Sequence, residues 1–154
     1  MRSLSLCLFL VVVVGCSRSE YKAGETISRP GQADVVMVEG NDPEMQAAQD
    51  EARKTLPDFI KKLHANKDPE IYFAVKAGLP TPSGDEEHIW VEDLKYEKGK
   101  FAGKLGNEPL NLPGKKTGSE VSFDESAVSD WMIASESGME GGYTVAILQK
   151  RGEQ

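Results

Sequence analysis

Cysteine is nearly absent: Cys7 and Cys16 are the only two in 154 residues. Both lie near the N-terminus, so no disulfide can staple the rest of the chain, and its fold must rest on an apolar core. Histidine is equally scarce, at His64 and His88. With no His-x-x-x-His and no cysteine pair, the spacings that hold zinc are missing. No apolar run is long enough to cross a bilayer; Leu4 to Val14 would rise roughly 16 Å as a helix, about half the hydrocarbon core. There is no Gly-x-Ser-x-Gly elbow to present a nucleophile, and Gly138, Gly141 and Gly142 are not followed by the Gly-Lys-Ser/Thr of a phosphate loop. Excess positive charge is missing as well. A net charge of −7 repels nucleic acid and anionic headgroups alike.

What is present begins with an address. Arg2 forms a short basic region, an apolar segment follows, and Val13-Val14-Gly15-Cys16 resembles the lipobox of bacterial lipoproteins. The resemblance implies cleavage before Cys16, a diacylglyceryl thioether on its sulfur and an acyl chain on the new amino group. Each buried methylene contributes about 0.8 kcal/mol, so several chains anchor stably where one would not. The plain alternative is an ordinary signal peptide cut nearby, leaving Cys16 a free thiol. Ser17 in place of Asp after the cysteine favours the outer over the inner membrane in a Gram-negative cell, with the domain facing the periplasm. Residues 1–15 are thus expected to be a signal peptide. Residues 16–33, polar and carrying Gly24, Pro30 and Gly31, are expected to be a flexible tether, and 34–151 a single domain.

The domain reads as α+β. Val35 to Val38 is a short β-type run. Asp42-Pro43 is a helix start, with Asp as N-cap and Pro in the first turn. Met45, Ala48, Ala52, Leu56, Phe59, Ile60 and Leu63 then follow at steps of three and four, one apolar stripe. The stripe keeps its phase across Pro57, which predicts a kink and not two helices. Ile71, Phe73 and Val75 alternate as a strand, and Gly78 to Asp85 reads as a loop. Glu86-Glu87-His88-Ile89-Trp90-Val91 opens the strand around which the rest is arranged. Alternation puts Glu86, His88 and Trp90 on one face and Glu87, Ile89 and Val91 on the other, and bulky groups on both faces mark an interior strand. A turn at Glu97 to Lys100 and a return through Phe101, Gly103 and Leu105 complete a hairpin. Asn107 to Thr117 is too rich in breakers for regular structure. Glu120 to Phe123 and Val128 to Ala134 are further strands, and Ser135 to Gly142 is a turn region. Tyr143 to Lys150 fits strand or helix, and helical spacing after Gly142 favours a short helix. The expected architecture is one long kinked helix packed on a curved, mainly antiparallel sheet of about five strands.

One ordered set of residues carries a family likeness. Ala52-Arg53, Leu56, Phe59, Phe73, Val75-Lys76 and Glu87-His88-Ile89-Trp90-Val91 come first. Gly103, Leu105, Asn107, Pro109, Gly118, Val121, Ser129-Asp130-Trp131 and Gly141-Gly142-Tyr143-Thr144 follow. In that order they resemble the YegJ-like family, a bacterial domain of unknown function found in predicted lipoproteins. The resemblance implies a single α+β module and no activity, substrate or catalytic residue.

The chemistry on offer is thin. Glu86, Glu87, His88, Trp90, Asp130 and Trp131 form the candidate binding or structural cluster. Glu86 and His88 share a face, and a hydrogen bond between them would tune the imidazole upward. Glu87 and Asp130 are expected to bond nearby amides, and both tryptophans to pack in or beside the core. A Ser129–His88–Asp130 triad lacks the strand–turn–helix setting of a nucleophile. Asp85 to His88 reads as a solvated acidic loop before it reads as a metal site, and no cofactor is indicated. The expectation is a lipid-anchored envelope protein acting as a non-enzymatic binding or interaction module. Its partners are the membrane, through Cys16, and an envelope protein or small ligand. The alternative is a small envelope hydrolase using His88 with a carboxylate.

Overall fold

The computed structural model describes residues 42–152 and, before them, the two-residue strands β1 (Thr26–Ile27) and β2 (Val35–Val36), which pair antiparallel. The expected signal at 1–15, Cys7, the lipidation residue Cys16 and the rest of the expected tether lie outside the described residues. Helix α1 (Pro43–Ala65) starts where Asp42 Oδ1 accepts the Met45 N–H at 3.0 Å. It continues as one helix through Pro57 to Asn66, whose N–H closes on the Lys62 carbonyl. The stripe read from the sequence is the buried one: Met45, Ala52, Leu56 and Phe59 are buried, with Ile60 and Leu63 packed against the core.

The sheet comprises β3 (Tyr72–Pro80), β4 (Glu86–Glu97), β5 (Lys100–Leu105), β6 (Glu120–Asp124), β7 (Val128–Ser135) and β8 (Gly138–Gly141). Their spatial order is β6-β5-β4-β3-β7-β8, every neighbouring pair antiparallel. Two sequence expectations need correction. There are six strands in this sheet, not about five, because β8 lies inside the stretch read as a turn region. A Gly-Met-Glu-Gly run carries no alternation of its own and is held by its ladder to β7. And β3 runs on to Pro80, into the stretch read as loop, because Gly78, Leu79 and Pro80 pair with His88, Glu87 and Glu86. Proline is tolerated there at a strand end. The β4–β5 hairpin turns at Lys98 (φ 50°) and Gly99 (φ 81°), the two positive φ values of a tight two-residue turn.

The sheet is strongly curved, and chain length requires it. Only the 3₁₀ turn Glu125–Ala127 joins β6 to β7, so Asp124 and Val128 are at most ~14 Å apart. A flat sheet would separate those strands by four spacings, ~19 Å. The bend falls in β4, where the ladder to β5 shifts register between Glu92 and Lys95 and Asp93 takes φ 52°. Inside the curve, Phe59 of α1 meets Phe73 at 5.7 Å, Phe101 at 6.5 Å and Trp131 at 5.2 Å between ring centroids. Helix α2 (Tyr143–Gly152) returns along α1, and Arg151 pairs with Asp42 at 2.7 Å and Glu44 at 2.9 Å. That guanidinium, with the Met45 N–H, holds the Asp42 carboxyl at about 2.

Candidate functional site

Strand β3 is the middle of the site, with β4 on one side and β7 on the other. Its inner face carries Val75, Ala77 and Leu79 into the core. On the opposite face the register sets Lys76 between Trp90 of β4 and Asp130 of β7, and Gly78 beside His88. Because Gly78 has no side chain, the His88 ring crosses β3 and reaches Ser129 of β7, Nδ1 to Oγ 2.8 Å. A Cβ at Gly78 would lie 2.6 Å from Glu86 Oε2 and 3.2 Å from His88 Cε1. Ser129 is the residue that bulges from the β3–β7 ladder, where the register slips between Lys76 and Ala77. Its hydroxyl donates to the Lys76 carbonyl at 3.3 Å, so it accepts from His88 Nδ1–H. Nε2 is then the unprotonated nitrogen.

The charges around this bridge are arranged by burial. Loss of water, then the Lys76 ammonium, push the His88 imidazole below its ordinary value, while Glu86 pulls it weakly the other way. His88 is therefore neutral at pH 7. This corrects the expected upward tuning: Glu86 shares the face, but burial and Lys76 outweigh it. Burial also lowers Lys76, against the opposing pull of Asp130. The ammonium sits 5.8 Å from the Trp90 ring centroid and 3.5 Å from Thr144 Oγ1.

Asp130 is 0% exposed and fully engaged. Its Oδ1 accepts the Trp131 N–H at 2.8 Å and the Tyr143 N–H at 3.2 Å. Its Oδ2 accepts the Thr144 N–H at 2.8 Å and the Thr144 hydroxyl at 2.6 Å. The carboxylate is thus the internal cap of α2, placed where the helix dipole favours an anion.

The other candidates part company with this cluster. Glu87, on the inner face, accepts the N–H groups of Leu110 and Asn111 at 2.7 Å each, pinning the loop whose Leu112 packs on the core. Trp131 is 2% exposed, and its indole N–H donates to the Ala52 carbonyl and Thr55 Oγ1, both at 3.1 Å. His64 stands edge-on to Tyr96 at the far end of α1. Asp85 faces Ser83 in the β3–β4 turn. No group of three or more metal-binding side chains gathers among the described residues. Sequence reasoning left Gly78 in a loop and gave Lys76 and Thr144 no part in the cluster. Lys76 had a signal, a lone cation between Ala74 and Gly78 in an apolar strand.

Gly78→Ala should displace Glu86 and the His88 ring, break the bond to Ser129 and let the imidazole rise towards its ordinary value of about 6.5. An NMR titration of the His88 ring protons would read this directly, and an unshifted curve would mean that the ring is not held across Gly78.

A concavity lies elsewhere. A groove of about 330 Å³ opens between α1, β7, β8 and the start of α2, lined by Thr55, Asp58, Lys61, Lys62, Trp131, Glu140 and Tyr143. Neither His88 nor Ser129 reaches it.

The model of a family described as an uncharacterized protein conserved in bacteria (DUF2314) matches residues 42–153. The chain belongs to this family. It is 34% identical over 114 residues to the uncharacterized protein YegJ of Escherichia coli, covering 73% of this chain and 72% of the relative. It is also 27% identical over 126 residues to a putative ankyrin repeat protein of Neisseria meningitidis serogroup B, covering 77% of this chain but 50% of that protein. No solved structure matches. The DUF2314 region of this chain corresponds closely to the described domain, from the cap of α1 to the end of α2.

Proposed function

We propose that this DUF2314 protein is a lipid-anchored component of the bacterial envelope, held at Cys16 and facing the periplasm, whose domain is a non-enzymatic interaction module. One observation carries the module reading: the titratable cluster does not line the groove between α1, β7, β8 and α2. An enzyme needs its base, its nucleophile and a substrate-sized hollow at one place. Here Ser129, at 1% exposure, donates its hydroxyl to the Lys76 carbonyl, and Asp130 is occupied by the Trp131 N–H and the start of α2. Similarity to half of a longer relative named for ankyrin repeats suits a domain used as a module beside other segments. The anchor rests on the lipobox-like Val13-Val14-Gly15-Cys16.

The His88–Ser129 contact favours a second reading, a hydrolase in which Nε2 of the neutral imidazole activates water beside Glu86. A screen for esterase, phosphatase, peptidase and glycosidase turnover on the wild type and His88→Ala separates the two. The module reading expects no turnover from either, and an activity lost in His88→Ala would overturn it. For the anchor, Cys16→Ser should move the protein from the detergent-extracted membrane fraction to the unprocessed or soluble one. Wild-type protein already in the soluble fraction would contradict lipidation.

A further inference from the structure

The two edges of the six-stranded sheet are built differently. On β6, Glu120, Ser122 and Asp124 stand exposed, Asp124 pairs with Lys100 at 2.8 Å, and the Lys115 ammonium occupies the Glu120 carbonyl at 2.9 Å. Charges and a capped carbonyl of this kind discourage pairing with another strand. The β8 edge, Gly138-Met139-Glu140-Gly141, has no lysine, no proline and no break in its register with β7. Its one charge, Glu140, is taken up by Lys62. Met139, at 53%, is the most exposed large apolar side chain among the described residues. The register places Met139 opposite Ala134 and Glu140 opposite Ile133, so these two side chains lie on opposite faces of the sheet. Glu140 is also a lip of the groove lined by Asp58, Lys61, Lys62, Trp131 and Tyr143.

We propose that β8 is a docking edge, taking an extended, positively charged segment of a partner protein as a further strand. The proposal rests on the interaction-module reading and names its partner class. A strand added about 4.8 Å beyond β8 would send alternate side chains to the two faces. One set lies along Met139; the other lies over the mouth of the groove, beside the Glu140–Lys62 and Asp58–Lys61 ion pairs. Backbone pairing supplies affinity and the alternating contacts supply selection. The sign of the partner follows from charge. The chain carries −7 overall, Glu136 stands exposed at the turn into β8, and the strand itself carries no cation. A second copy would set Glu136 against its equivalent and −7 against −7, whereas a basic segment is steered in.

The test uses the full-length protein in detergent at physiological salt and fluorescence anisotropy. The probe is a labelled peptide of about eight residues alternating lysine and valine. Two further versions are N-methylated on one or the other alternate set of backbone amides, and a fourth replaces lysine with glutamate. The parent peptide should bind, the glutamate peptide should not, and one methylated version alone should lose about tenfold or more, since only one set of amides faces β8. Met139→Lys and Glu140→Lys should each weaken the parent peptide by a similar factor, Met139→Lys with an unchanged melting curve and Glu140→Lys with only the small shift of one lost surface ion pair. His88→Ala should bind as wild type. Absence of parent binding, equal binding of both methylated versions, or indifference to the β8 variants would overturn the docking edge. So would self-association that Met139→Lys abolishes, which would give the edge to a second copy. Failure of the module reading shows in a different assay, as His88-dependent turnover.

Discussion

Asp130→Ala is expected to lower stability by about 3–5 kcal/mol, a large part of the 5–15 kcal/mol that holds a typical domain. The reason is the number of groups stranded at once. Three backbone N–H groups and the Thr144 hydroxyl lose their acceptor at a position that is 0% exposed, and the half-buried Lys76 loses the favourable pull of that carboxylate. Asp130→Asn should also destabilise, because its amide NH₂ adds a donor where every neighbour is already a donor. Thr144→Val removes only the 2.6 Å hydroxyl bond and should cost about 1–2 kcal/mol. Urea melts rank the three. Hydrogen exchange locates the damage, with protection lost over 143–152 before the sheet opens. Undiminished protection of α2 in Asp130→Asn would show that the carboxylate is not its cap.

Phe59→Ala is expected to cost about 3–5 kcal/mol, the range for emptying a buried aromatic site. Phe59 is 0% exposed and touches rings from three strands, Phe73, Phe101 and Trp131. These neighbours belong to both limbs of the bent sheet, so the cavity cannot close by a shift of one strand. Lys62→Ala, on the solvent side of the same helix, loses a surface ion pair with Glu140 and should cost at most about 1 kcal/mol. Similar small effects from both, in the same urea series, would mean that α1 does not pack into the curve.

The sequence made legible what depends on local pattern. The α1 stripe, the alternation in Glu86 to Val91 and the Lys98–Gly99 turn each repeat a side-chain period or demand a backbone conformation, so they can be read a few residues at a time. β8 could not be read, because glycines and an exposed methionine leave no periodicity, and its pairing is specified by β7. The candidate site was half legible. Glu86, His88 and Trp90 were assigned to one face from strand geometry alone. That His88 would meet Ser129, 41 residues away, depends on three strands lying in the order β4-β3-β7 and on a missing side chain at Gly78. Neither is a property of any short window. The direction of the His88 shift escapes the sequence for the same reason, since the burial that dominates it and the Lys76 ammonium that adds to it both arise across the ladder.

The clasp of Arg151 on Asp42 and Glu44 brings the beginning of α1 and the end of α2 together. The domain is therefore a side branch on its own chain: the path arrives and departs at one pole, and the sheet hangs between. Extra length at either end would move this pole without changing which way the β8 edge faces relative to it. A neighbouring domain joined after α2 would begin beside Asp42, not at the opposite end of the molecule. Tension between the two ends would fall first on two exposed ion pairs and the α1–α2 contact, where a small force is enough, and would reach the β-ladders only after the helices had parted.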